Sequence, residues 1–288
     1  MSDLLSSTSG KFFIVATPIG HLKDISTRAI EVLHAVSLIV AEDTRHSKIL
    51  LKSLAIKTPC VSLHAHNERT QSASLLKKLQ AGETLALISD AGTPLISDPG
   101  FLLVKLAQEL HIPVIPIPGP SALITALSAA GLPCDRFFFA GFLPSKGSAR
   151  LKELTLFKEV PYTVIFYEAP HRIQGMLKDC LTVLGPLRPL VLAKELTKIH
   201  ETFITGTIEE ALTWLRSDPN HQKGEFVVLL GGVSEKREPS DLKLSHVLEV
   251  LLKTLPLMQA VKIATALTGE KKNKVYAQAL MQLEIPLM

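Results

Sequence analysis

The sequence predicts an α/β fold built on a parallel sheet, and three observations lead there. Short β-rich runs alternate with amphipathic helical stretches. The loops after those runs are rich in Gly, Pro, Asp and Ser. The chain has 288 residues, 47% hydrophobic and 20% charged, which suits a large buried core and argues against a disordered chain.

The first strand reads FFIVA from Phe12 and ends in Thr17-Pro18-Ile19-Gly20, with a helical pattern running from Asp24 through Ile25, Ala29, Ile30, Leu33 and Val36. The unit recurs as SLIVA before Glu42-Asp43-Thr44-Arg45, with a helix to Leu54. CVSL follows before His64–Glu68 and a helix to Leu79, and TLALIS before the loop Ser89–Phe101 and a helix to Leu110. A fifth strand, Pro113–Ile117, feeds Pro118-Gly119-Pro120-Ser121 and a small-residue helix to Ala130. The breaker Gly131-Leu132-Pro133 then closes a first domain, 11–131.

A second α/β domain, 132–234, contains RFFFAGF, YTVIFYE, PLVLAKEL, TFITGT and EFVVLLGG. The last two lie near enough in sequence to pair antiparallel, which predicts a mixed sheet. SEKREPSDLK is charged, contains Pro239 and reads as a linker. A helical extension follows within 235–288, and Met258–Leu267 and Lys274–Leu283 form a helix-turn-helix-like corner around Thr268-Gly269-Glu270. Residues 1–10 read as a loose polar leader.

Several functions are disfavoured. Lys plus Arg total 31 against 27 for Asp plus Glu, so the +4 charge neither demonstrates nor excludes a nucleic-acid partner. Cys60, Cys134 and Cys180 are far apart with no Cys-x-x-Cys, as expected of reduced thiols in the cytoplasm and not of a zinc site. No apolar run is long enough to span a membrane. Gly-x-Gly-x-x-Gly and the phosphate-loop ending are absent, arguing against NAD and nucleoside triphosphates. Ser121 lacks the Gly-x-Ser-x-Gly of a hydrolase. His64-x-His66 lacks a third ligand, and adjacent Glu42 and Asp43 suit helix capping, so no metal is required.

Ligands of open parallel sheets bind beyond the carboxyl ends of the strands, where loops and helix N-termini present free N–H groups. Each loop alone reads as ordinary turn chemistry. Four such loops on one predicted edge favour a small-molecule site.

These residues carry a resemblance over nearly the whole chain: TPIG at Thr17–Gly20, AEDTR at Ala41–Arg45, HNE at His66–Glu68, SDAGTPLISDPG at Ser89–Gly100, PGPSA at Pro118–Ala122, FYEAPHR at Phe166–Arg172 and KE at Lys194–Glu195. In these motifs the chain resembles the 16S rRNA (cytidine(1402)-2'-O)-methyltransferase family of the tetrapyrrole methylase superfamily. The resemblance implies a two-domain α/β fold with S-adenosylmethionine in the cleft between the domains, a homodimer, and 16S rRNA or the assembled small ribosomal subunit as substrate. It implies cofactor contacts from Pro18, Ile19, Asp90, Ala91, Gly92, Thr93, Pro94, Ser121, Ala122 and Tyr167. It further implies substrate contacts from Arg45, His66, Asn67, Glu68 and Arg172.

A ribose hydroxyl is a weak acid, so a group should accept its proton or stabilise the alkoxide. The candidates are Glu168, Lys194 and Glu195, with Asp90 more suited to cofactor binding. Glu168 ends an apolar strand, which would raise its pKa, and a structural role holding Arg172 or His171 stands beside the catalytic one. The loop LPSKGSAR offers Lys146 and Arg150 for phosphates, as the tail offers Lys262, Lys271, Lys272 and Lys274. The alternatives are a tetrapyrrole methyltransferase and a noncatalytic ribosome-binding factor.

Overall fold

The computed structural model describes residues 10–233 and 241–283. The expected linker up to residue 240, and all of the leader except Gly10, lie outside them. Two compact units result, 1–233 and 234–288, and both sheets belong to the first.

The first sheet comprises β1 (Lys11–Val15), β2 (Leu38–Ala41), β3 (Cys60–Ser62), β4 (Thr84–Ile88) and β5 (Val114–Ile117), in the order β3-β2-β4-β1-β5. Every pairing is parallel. The strands read as unbroken apolar runs because both faces are covered. On one face α1 (Thr27–Ala35) and α2 (Thr44–Ser53) bring Leu33 and Leu51 onto Phe13, Ile39 and Ala86. On the other, α3 (Glu68–Gln80) and α4 (Phe101–Glu109) bring Leu75, Leu79 and Leu103 onto Phe12, Val40 and Leu87.

The first helix starts later than its apolar pattern predicts. Ser26 accepts a hydrogen bond from the Ala29 N–H and caps α1, leaving Leu22–Asp24 as a single 3-10 turn. Asp43 caps α2 in the predicted way, accepting from the Arg45 N–H at 2.8 Å.

The second sheet contains β6 (Phe137–Phe142), β7 (Thr163–Glu168), β8 (Pro189–Lys194), β9 (Thr202–Thr207) and β10 (Phe226–Leu230), ordered β6-β7-β10-β8-β9. TFITGT and EFVVLLGG do not pair with each other, contrary to expectation. β9 pairs antiparallel with β8, and β10 inserts antiparallel between β7 and β8. The reason is α8 (Ile208–Ser217), whose capping box at Thr207 and Glu210 starts a helix between the two strands and carries the chain back to the sheet centre.

The outer face of this sheet packs Phe166, Leu192 and Val228 beneath α6 (Gly147–Thr155), α7 (Ile173–Leu184) and α8. Its inner face packs Ile165, Val191, Val227 and Leu229 against α5 (Ala122–Ala129), through Leu123, Ala126 and Leu127. Thus α5, which follows the last strand of the first sheet, is buried against the second.

In the second unit, α9 (Asp241–Leu252), α10 (Leu257–Thr268) and α11 (Lys272–Leu283) enclose Leu244, Leu248, Val261, Ala264, Val275 and Ala279. Gly269 ends α10 in the left-handed region, at the predicted corner. No described helix is long and apolar enough to cross a membrane.

Candidate active site

Backbone and side-chain bonds stitch the loops after the first-sheet strands into one platform. Thr17, fully buried, and Gly92 exchange two backbone hydrogen bonds, 2.8 Å from the Thr17 N–H and 3.0 Å from the Gly92 N–H. The Thr17 hydroxyl donates to the Ser89 carbonyl at 3.2 Å. Thr93 donates to the Pro120 carbonyl at 3.0 Å, joining the β4 loop to the β5 loop. The Asp43 N–H donates to Asp90 Oδ1 at 3.2 Å, joining the β2 loop as well.

Within the β4 loop, Gly92 has φ of +81°, and Leu95 and Ser97 also occupy the left-handed region with φ of +72° and +73°. Non-glycine residues there cost roughly 1–3 kcal/mol each and persist where their surroundings hold them. Glu68 fixes the far end of this loop. Its Oε1 accepts from the N–H groups of Gly100 and Leu102, both at 3.0 Å, and so caps α4.

The platform faces the second sheet. Gly20 comes so close to the loop after β8 that a Cβ there would stand 2.7 Å from Thr197 Oγ1, and His21 donates its N–H to the same hydroxyl at 3.0 Å. Tyr167, from β7, accepts the Leu123 N–H at the start of α5 at 3.1 Å, and its ring lies edge-on to Phe139 and Phe142.

Between these parts lies a cavity of about 440 Å³, in the range of about 300–1,000 Å³ usual for small-molecule sites. Ile19, Asp90, Ala91, Gly92 and Thr93 line one side, with Ser121 and Ala122 beside them. Tyr167, Glu168, Leu196 and Val227 line the other. Asp90, Asp98, Glu168 and Glu225 are among its lining residues, the last ion-paired with Lys198 at 3.0 Å, and no Lys, Arg or His lines it among the described residues. Burial, then the charges of Glu42 and Asp90, push the Asp98 carboxyl up to about 6 against an opposing hydrogen bond from Ser89. Burial, then the charge of Asp90, also raises Glu42.

Glu168 is nearly inaccessible, and burial raises its pKa against the N–H of Ala169 and the charge of Arg172. Oε1 accepts the Ala169 N–H at 2.9 Å. Arg172 Nε lies 3.0 Å from the same oxygen but out of line for a hydrogen bond, while the guanidinium donates to the Leu143 carbonyl. Oε2 is buried with no hydrogen-bond partner among the described residues.

Other residues singled out from the sequence stand elsewhere. Pro18 and Pro94 are buried outside the cavity wall. Lys194 is also outside it, because Phe226 of β10 pairs between Glu168 and Lys194 and separates them by two strand spacings, roughly 10 Å. Glu195 holds Lys198 at 2.9 Å and accepts the Glu225 N–H. Burial works to raise its pKa, and those bonds outweigh it and leave it lowered.

Asn67 closes its own turn through the His64 N–H and the Ser62 carbonyl. Arg150 pairs with Asp179 at 2.7 Å and reaches the carbonyls of Pro144 and Ser145, so its guanidinium is engaged within the fold. Arg45 pairs with Asp43 while its side chain stays 89% exposed. Lys146 and His66 are exposed. Asp98, Phe142, Leu196, Phe226 and Val227 line the cavity without having been singled out. A second Asp within SDAGTPLISDPG was the available signal for Asp98.

Among the described residues, no group of three or more His, Cys, Asp or Glu side chains is arranged to hold a metal ion, and all three cysteines are free.

The chain is similar to solved structures of this architecture. It matches the methyltransferase CobJ with a TM-score of 0.58 at 17% identity, covering 78% of this chain and 95% of that one. It matches uroporphyrin-III C-methyl transferase from Thermus thermophilus, complexed with S-adenyl homocysteine, with a TM-score of 0.54 at 18% identity, covering 77% and 97%. Residues 11–212 match the tetrapyrrole (corrin/porphyrin) methylases, and 238–284 match the RsmI C-terminal HTH domain. Proteins named ribosomal RNA small subunit methyltransferase I are similar over almost the full length. The one from Pseudomonas aeruginosa is 51% identical, covering 96% of this chain and 98% of its own. The one from Haemophilus influenzae is 48% identical, covering 99% and 100%. With a tetrapyrrole methylase fold and relatives this similar from end to end, the chain belongs to the ribosomal RNA small subunit methyltransferase I family.

Proposed function

We propose that this protein transfers a methyl group from S-adenosylmethionine to the ribose 2'-hydroxyl of a cytidine, cytidine 1402, in 16S rRNA. The observation that carries the reading is the cavity itself, with Asp90 and Asp98 in its wall, apolar sides and no basic residue among the described ones. The cavity fits the cofactor in charge and in surface. Asp90, Asp98 and Glu168 suit a molecule bearing a sulfonium and an ammonium, and Ile19, Ala122, Tyr167, Leu196 and Val227 offer apolar walls to an adenosyl group. Asp90, the backbone of Ala91 to Thr93, Ser121 and Ala122 would hold the cofactor.

The cofactor supplies an electrophilic methyl group on a positively charged sulfur. With the cofactor bound, Glu168 would accept the proton lost by the ribose hydroxyl as that oxygen bonds to the methyl carbon and the carbon–sulfur bond breaks, the sulfur leaving as a neutral thioether. A buried carboxylate with a raised pKa is the stronger base for this task. Arg172, within 3.0 Å of Oε1, orients the carboxylate.

The protein acts in the cytoplasm as a homodimer. Phe137, Phe138 and Phe142 on edge strand β6 are each more than 40% exposed, an apolar edge suited to a second copy. Light scattering tests the dimer, and a monomer at working concentration overturns it. The enzymatic reading is tested by transfer of a labelled methyl group to small ribosomal subunits lacking the modification, with the methylated ribose then mapped. Label entering a tetrapyrrole instead would reject it, and no transfer to any acceptor would leave a binding factor.

A further inference from the structure

The cavity has Asp90 and Asp98 in its wall, Glu225 there is ion-paired with Lys198 at 3.0 Å, and no basic residue lines it among the described residues, which suits a cationic cofactor but offers nothing to the phosphates on either side of a reacting nucleotide. The RNA backbone therefore needs an attractive surface outside it. One begins at the rim, where the Asp43 N–H is bound to Asp90 and α2 starts.

Helix α2 turns Ser47 and Leu51 inward. By the 3.6-residue repeat, Arg45, Lys48 and Lys52 share an outer sector of about 60°, spread over roughly 10 Å of helix axis. All three are exposed. Beyond the end of α2, Lys57 joins Lys48 and Lys52 around an open cleft of about 620 Å³ floored by Leu51 and Ile56. Lys48, Lys52 and Lys57 have no hydrogen-bond or ion-pair partner among the described residues. Exposed Lys105 and Lys253, by contrast, are paired with carboxylates four residues away.

We propose that Arg45, Lys48, Lys52 and Lys57 form a phosphate track that holds the RNA strand flanking the reacting nucleotide, outside the acidic cavity. The inference rests on the methyltransferase reading above. It assigns a positioning role to lysines that touch neither cofactor nor reacting atoms, and it reads backbone charge, not base sequence.

The test is steady-state methylation of small ribosomal subunits by the full chain at several salt concentrations. K48Q/K52Q/K57Q is expected to raise KM for the subunit about tenfold and to flatten the slope of log affinity against log salt by about 2. The conservative K48R/K52R/K57R should restore both. Lys52→Gln alone, which disturbs folding least, should flatten the slope by about 0.7, and Lys105→Gln on α4 should leave it unchanged.

A photo-cross-linking residue in place of Lys52 should capture rRNA. Capture of a ribosomal protein alone, or an unchanged KM and slope in the triple variant, overturns the track. No transfer by the unaltered enzyme would instead defeat the functional reading, which separates the two failures.

Discussion

The hydroxyl of Tyr167 accepts the backbone N–H of Leu123 at 3.1 Å, so a side chain of the second sheet caps the helix that follows the last strand of the first. That N–H belongs to the first turn of α5 and has no partner within the helix. Tyr167→Phe leaves it unsatisfied and is expected to cost about 1 kcal/mol of stability. Because Tyr167 also lines the cavity, cofactor affinity should fall in the same variant. Denaturant unfolding and calorimetric titration with S-adenosylmethionine check the two parts.

Glu168→Gln keeps the shape of the side chain and removes the base. Turnover is expected to fall about 10²- to 10⁴-fold with cofactor affinity changed far less. In the unaltered enzyme burial raises the Glu168 pKa, so the rate should drop as pH falls through that raised value. The acid limb of the pH–rate profile should disappear in the variant. Retention of the limb would assign the proton to another group.

Asp98 titrates near 6 in the folded protein against an ordinary value of 3.8. The folded state thus holds this proton more tightly than the unfolded state does. Its contribution to stability is fully present below about pH 3.8 and is lost as pH rises through about 6. Asp98→Asn should therefore flatten the stability profile over that window. The ionised form attracts a cation, so cofactor affinity of the unaltered protein should rise with pH through the same range and lose that dependence in the variant. Titrations at pH 5 and pH 7.5 measure it.

Glu68→Ala removes both acceptor bonds at the start of α4, where the loop that carries residues 95–97 ends. A loss of about 1–2 kcal/mol is expected, together with weaker cofactor binding, since Ile96, Ser97 and Asp98 line the cavity. Weaker affinity for RNA with unchanged stability would instead make Glu68 a substrate contact.

Much of the fold was legible because the strands of a sheet covered on both faces are unbroken apolar runs, as in LIVA of β2 and TLALI of β4. The cavity side formed by Ala91, Gly92, Thr93, Ser121 and Ala122 was legible for a similar reason. A parallel sheet sends all its outgoing loops to one edge. The second-sheet side was only partly legible, since Phe226 and Val227 reach it through the insertion of β10 between β7 and β8, which depends on long-range pairing. Charged residues were the least legible. Glu68, Glu195 and Arg150 have the composition of ligand contacts, and each has a backbone or ion-pair partner inside the fold. Local pattern does not distinguish the two uses.

The paired bonds between Thr17 and Gly92 set the timing of order in this molecule. Because they form with the chain's own fold, the conformational entropy of aligning the two loops is lost during folding and not at each encounter with a ligand. Every catalytic cycle can then begin from a surface already in shape.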